Sequence, residues 1–261
     1  MAKTWLRRSV LACGVLLAMP VSAQSIDAAK LSSVGVFSLL GDSVQASWAE
    51  DKPTGTRVDR NGGQNLDFKG IGFDLIALRA SDAALKRANP RVQTGLYRAP
   101  QELGPAQQRA LSEGAAKAEL PAWMVATINK DKLDHLLIIT RQRGTISADT
   151  ADSMAIGRGA VEGIGFYLDT LYTMRNQTTG ALSSGLIAPY AQIRYQLMEV
   201  KSGDIVAQYD VRESFAYASR EAQGSLDPWM FMSNEEKVRA LRDLVERGTE
   251  RALQNLLAAK R

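Results

Sequence analysis

Ser43 follows Gly41-Asp42 and an apolar stretch, Val34–Leu40, and it is the residue best placed by type and context for nucleophilic chemistry. A serine hydroxyl needs a neighbouring base to take its proton, and histidine is the usual one. The chain has a single histidine, His135, in Asp131-Lys132-Leu133-Asp134-His135. Ser43 and His135 are therefore the one pair that could act as nucleophile and base. The competing reading makes Gly41-Asp42-Ser43 a turn after a strand and His135 the opening residue of a buried strand. The remaining chemistry is sparse. Asp149 and Asp152 in Ser-Ala-Asp-Thr-Ala-Asp-Ser could hold a hard cation in a loop that also reads as simply solvated. One histidine and one cysteine are too few for a zinc site, so neither metal nor cofactor is expected. Gly157, Gly159 and Gly163 are spaced one residue too widely for a dinucleotide loop.

Composition supports a folded chain. Of 261 residues 45% are hydrophobic, 23% charged and 7% aromatic, which excludes disordered, collagen-like and multi-span membrane classes. Lys3, Arg7 and Arg8 precede the apolar run Val10–Met19, and Val21-Ser22-Ala23 has a small-x-small cleavage pattern. Residues 1–23 thus read as a secretory signal peptide, leaving 24–261 as a single domain in the periplasm. Removing three cations from the 32 basic residues leaves 29 against 28 acidic, so the charge balance gives no case for nucleic acid. Cys13 leaves with the peptide, which rules out disulfides. Val10-Leu11-Ala12-Cys13 also loosely resembles a lipobox, and on that alternative Cys13 would anchor the chain to the outer membrane. No segment downstream of the signal has the apolar length for a transmembrane helix.

Val34–Leu40 and Val44–Trp48 read as strands, and Glu50–Gly63 as a loop. Ile71, Leu75, Leu78 and Leu85 share one helical face, and that helix should stop before Asn89-Pro90. A short strand is predicted over Val92–Tyr97, and Pro105 opens a helix that runs with breaks toward Asn129. Leu133–Thr140 is the expected buried strand. Tyr190–Val211 alternates as an antiparallel hairpin turning at Ser202-Gly203-Asp204. Ser233 and Glu236 form a capping box for a final helix to about Ala258, with Val238, Leu241, Val245, Ala252 and Leu256 as its buried stripe. Between strand and hairpin, 144–189 reads as a glycine-rich insertion. Within it 163–175 alternates as a strand, although Val161, Ile164, Leu168 and Leu171 also fit a helical stripe; Gly163 and Gly165 favour the strand.

The fold class that follows is α/β (α+β). Its mixed sheet has about five or six strands, an antiparallel C-terminal hairpin and covering helices that include a long terminal one. Two stretches could face a partner: Phe166 and Tyr172 in the amphipathic segment, and Trp229, Met230 and Phe231 before the last helix. Folding back under the helix is the competing reading for the latter. Asn176-Gln177-Thr178 is a glycosylation sequon only in a host with the machinery.

Two resemblances bear on function. Gly41-Asp42-Ser43 resembles the first block of the GDSL (SGNH) esterases, and Gly63-Gln64-Asn65 formally fits that family's Gly-x-Asn block, though it comes soon after Ser43. That resemblance implies a serine hydrolase using Ser43 and His135. The chain departs from it at Lys132, where the family has aspartate three residues before histidine, and in the mid-chain place of His135. The element order, with its Val34–Leu40 strand, Tyr190–Val211 hairpin and closing helix, resembles the periplasmic domains of the curli secretion lipoprotein and the penicillin-binding-protein activator lipoproteins. It is also similar to exported proteins of Gram-negative bacteria. This architecture implies a non-enzymatic accessory or assembly factor of the cell envelope, binding an envelope protein or itself through 161–190 and 226–233. Peripheral membrane contact and a small-ligand or envelope-polymer binding module are the other roles it leaves open.

Overall fold

An unbroken apolar run makes a strand that is buried on both faces, and Leu136-Leu137-Ile138-Ile139 is that strand. A computed structural model describes residues 25–48, 61–66, 68, 70–100, 110–111, 120–149, 155–157, 159–175, 182–217 and 227–257. The predicted signal peptide with Cys13, residues 50–60 of the predicted 50–63 loop, the predicted helix start at Pro105, Asp152 and the sequon lie outside them.

The elements in chain order are β1 (Ser33–Ser38), β2 (Val44–Trp48), β3 (Gly62–Leu66), α1 (Phe73–Ala88), β4 (Gln93–Arg98), α2 (Ala122–Asp131) and β5 (His135–Arg141). Four short strands follow: β6 (Arg143–Thr145), β7 (Ala148–Asp149), β8 (Ala155–Ile156) and β9 (Ala160–Glu162). The chain closes with β10 (Ile164–Arg175), β11 (Leu182–Glu199), β12 (Ile205–Ser214) and α3 (Asn234–Leu256). The α/β class and mixed sheet hold, but the sheet has eight strands rather than five or six, ordered β3-β2-β10-β11-β5-β1-β4 with β12 also on β11. The extra strands are β3, whose Gly62-Gly63 falls within the predicted Glu50–Gly63 loop, and β10, the predicted strand of the 144–189 insertion, which joins the main sheet.

Register explains how eight strands fit. Ala191 faces Ile164 and Glu213, while Ile193 faces Arg141 and Val211. A strand has two edges, so β12 occupies one edge of β11, and β5 and β10 share the other end to end. β1 and β2 repeat the pattern one strand further out, β1 parallel to β5 and β2 parallel to β10. The sheet is thus two half-sheets laid along one 18-residue strand roughly 60 Å long. Residues 142–163 leave the sheet between β5 and β10 and return to the same point. Gln142 N donates to Gln192 O, Gln192 N to Gly163 O, and Gly163 N to Gln142 O. Only this excursion, carrying the β6–β9 and β7–β8 pairs, is an insertion; the other described residues of 144–189, 164–175 and 182–189, are sheet. The segment 164–175 is strand, as its glycines favoured.

One apolar layer runs the full length of one face, joining Val36, Leu137, Ile164 and Ile193 to Phe73 of α1 and Leu241 and Leu253 of α3. The opposite face is covered in two pieces. Met124 and Ile128 of α2 pack on Phe37, Leu136 and Ile138, whereas Ile146 and Val161 of the excursion pack on Tyr167, Leu186 and Tyr190. In α1 the buried face is Phe73, Ala77, Leu78, Ser81, Ala84 and Leu85; Leu75 is 50% exposed, so the predicted stripe was rotated toward solvent. In α3 the capping box forms as predicted, but Ala240, Leu244 and Leu253 join the buried stripe and Val238 faces outward. Gly248 permits the close seat of α3 on β12, since a Cβ there would come within 2.8 Å of a Val211 methyl.

Candidate functional site

The structure separates the two residues of the hydrolase reading. His135 sits beside Val34 at the start of β1, while Ser43 lies beyond its end, so β1 alone separates them by at least about 13 Å. Ser43 is exposed and its carbonyl accepts from Arg141 at 2.6 Å. His135 is buried with Nδ1 unpartnered among the described residues. Burial lowers its pKa below the usual histidine value, against the opposing pull of Glu199 and Asp134. No hydroxyl–imidazole contact forms between them.

What holds Gly41-Asp42-Ser43 is a latch absent from the sequence reading. Asp74, in the first turn of α1, is buried and accepts from Ser38 Oγ at 2.6 Å, Leu40 N at 2.9 Å and Gly41 N at 3.2 Å. Ser38 and Leu40 donate to Oδ1, whereas Gly41 N shares Oδ2 with Arg98 Nε, which donates at 3.2 Å; Arg98 also meets Asp42 at 3.3 Å. From the far side Arg141 donates to the carbonyls of Leu40, Gly41 and Ser43. Desolvation lowers the pKa of this guanidinium, with Asp74 first among the carboxylates opposing the shift. With four donors on one carboxylate, Asp74 positions the β1–β2 junction. A carboxylate at the start of a helix was visible in sequence, but its donors lie 24 to 36 residues away and carry no local signal.

The partner-facing candidates divide. Phe166 is fully buried, so it is core, packed edge-on against Trp229 at 5.3 Å and near Phe68 at 6.2 Å. Trp229 and Phe231 pack partly against the same layer as a short 3-10 strap, Pro228–Phe231, that folds back ahead of α3. Asp227 caps the strap by accepting from Trp229 N at 2.9 Å. Lys237 lies 4.0 Å from the Trp229 ring centroid. Burial lowers the Lys237 pKa, opposed by Asp227 and Glu236. Met230 alone of the strap is well exposed, at 67%. Tyr172 lies on β10, where its side chain is outside the described residues.

The strap closes over the base of an arm. Leu168 is the last residue of β10 paired to β2, through Trp48, and Ile187 is the first of β11 bridged toward the C-terminal side, through Tyr217. Beyond them Asp169–Arg175 and Leu182–Leu186 pair only with each other among the described residues. The register shifts between Asp169 and Thr173, then continues to Arg175 opposite Leu182. Gly185 has φ +87°, and a Cβ there would approach Pro228 to 2.7 Å, so glycine lets the strap sit against the arm. The arm is a two-stranded ribbon about 20 Å long that, among the described residues, no third strand joins. Trp48 and Tyr217, both partly exposed, flank its base at the ends of the row Trp48–Leu168–Ile187–Tyr217.

Among the described residues, no helix is long and apolar enough to cross a membrane, and no group of three or more acidic, histidine or cysteine side chains could hold a metal ion. No protein-family model matches the chain, and no curated protein matches it. Among solved structures, a PelC L103M dodecamer from Paraburkholderia phytofirmans is similar at 12% identity. The match covers 87% of this chain and 95% of that one, with a TM-score of 0.23, a superposition too loose to bear on fold or function.

Proposed function

We propose that the protein is a non-enzymatic, exported accessory or assembly factor of the bacterial cell envelope that acts by protein–protein contact. The observation that carries this reading is the β10–β11 arm. Among the described residues, Thr173–Arg175 and Leu182–Ser184 pair only with each other, and a ribbon edge of that kind is a template for adding a strand from another chain. An isolated hairpin is marginal in water, so an arm of this length gains most of its stability when paired. Trp48, Tyr217 and Met230 supply exposed apolar area around its base. Export to the periplasm rests on the signal-peptide reading of residues 1–23.

The test is site-specific photo-crosslinking in cells, with the probe at Met174 on the arm, at Met230 on the strap, and at Glu246 on α3 as a control. Adducts to one envelope protein or to a second copy, enriched at 174 and 230 over 246, are expected in the periplasmic or membrane fraction. Equal adduct yields at all three positions would sink the proposal.

A further inference from the structure

At the opposite end of the sheet from the arm, the N-terminal ends of β1, β4 and β5 surround an open basin of about 790 Å³. Its walls are fixed by backbone hydrogen bonds: Gln93 N donates to Ser32 O at 2.9 Å, Asp134 N to Ser33 O at 3.2 Å, and Val200 N to Asp134 O at 2.8 Å. Asn89 ties the turn before β1 to the α1–β4 connection, donating to Ala28 O and Leu31 O and accepting from Arg91 N. Lys132, the one non-glycine residue at positive φ among the described residues, turns the chain out of α2 at the basin's rim. The site is therefore built before any ligand arrives.

Its lining is chemically uncommitted. Arg91, Lys132 and Asp134 are exposed, and among the described residues their side chains make no hydrogen bond or ion pair with one another or with a neighbour. The side chains of Ser32, Ser33 and Gln93 add hydroxyl and amide groups that are likewise unspent. Two cations call for an anion. A bare anion would leave Asp134, an acceptor only, facing like charge, and a neutral polyol would leave both cations unanswered. A molecule carrying one anionic group and several hydroxyls satisfies the whole set, with hydroxyls donating to Asp134 and Gln93 and the anion meeting Arg91 and Lys132.

We propose that this basin binds a sugar bearing a single anionic group, either a sugar acid or a sugar phosphate. The experiment titrates the isotope-labelled protein with D-glucuronate, glucose 6-phosphate, glucose and inorganic phosphate at constant ionic strength, following amide shifts. Saturable shifts confined to 32–33, 91–93 and 132–134 are expected with at least one of the anionic sugars, with affinity about tenfold above glucose or phosphate. The Arg91→Gln/Lys132→Asn variant should abolish them while its melting temperature stays within a degree or two of the parent, since both side chains are exposed. Asp134→Asn should bring the anionic sugar down to the affinity of phosphate. Phosphate binding as well as the sugars would reduce the site to an anion patch and overturn the proposal. So would glucose binding equally well, the double variant leaving the shifts intact, or no saturable shifts with any of the four.

Discussion

The half-sheet of β4, β1 and β5 and the half-sheet of β3, β2 and β10 share β11 but are built on different physics. The first lies between α1 on one face and α2 on the other, with α3 seated beside it on β11 and β12, and β1 and β5 are buried along nearly their whole length. The second has the same apolar layer on one face, but among the described residues its other face is covered by the 142–163 excursion and carries polar contacts around Tyr190. That phenol lies 3.4 Å from Ser47 Oγ and donates to Gln45 Oε1 at 3.3 Å; burial raises its pKa to about 12. The contrast teaches that helices cover both faces of one half-sheet, whereas the half covered by its own strands extends into a ribbon that pairs only with itself among the described residues.

The comparison breaks most sharply at Gly165, where β2 and β10 approach so closely that a Cβ would fall 2.0 Å from Gln45 O. Backbone cannot yield as a side chain does, so Gly165→Val should cost about 4 kcal/mol or more in urea unfolding and detach β2 from β10. Gly35→Ala in the other half meets only side-chain atoms of Leu133 and Phe37 and should cost less than Gly165→Ala. Leu137→Ala, in the helix-sealed half, should cost about 3 kcal/mol, whereas Met230→Ser on the strap, 67% exposed, should stay within about 0.5 kcal/mol of the parent while losing its partner adducts. A strap variant as damaging as Leu137→Ala would make Met230 part of the core rather than of a contact surface.

Asp74→Ala, at the junction of the two halves, should cost about 2 kcal/mol because Leu40 N, Gly41 N and Ser38 Oγ lose a charged acceptor. Asp74→Asn should recover part of that in the same unfolding curves. Ser233→Ala should remove about 1 kcal/mol by opening the capping box of α3, with the arm's adducts unchanged. The smallest effect is in pH. Burial depresses the His135 pKa in the folded state, so the unfolded chain binds the proton more readily. Stability is whole above the ordinary histidine range and declines as pH falls through about 6.5 toward the lowered folded value. His135→Gln should flatten that limb of the stability–pH curve; an unchanged slope would mean that carboxylates alone set it.

Most elements were legible because their signals are local. Apolar alternation marked β12 and the second half of β11, an unbroken run marked β5, and Ser233 with Glu236 marked the start of α3. The misreadings share a cause. Gly62-Gly63 looks like a turn because its role is to pass beneath Trp48, whose indole would lie 2.2 Å from a Cβ at Gly62. Phe166 looks like a surface aromatic because the strap that buries it comes 63 residues later. Of the candidate sites, the exposed Met230 and the strand character of 164–175 were visible in sequence, whereas the Asp74 latch and the basin were not.

Periodicity, caps and glycines act over a few residues, and by themselves they determined the helices, most strands and the α/β class. Three things were decided only by tertiary structure. Register placed β5 and β10 end to end on one edge of β11, the strap covered Phe166, and the ends of three strands brought Arg91, Lys132 and Asp134 around one basin. The physical reason is that edge pairing and burial are properties of which segments meet, and that meeting depends on hydrogen-bond partners and packing surfaces far apart along the chain.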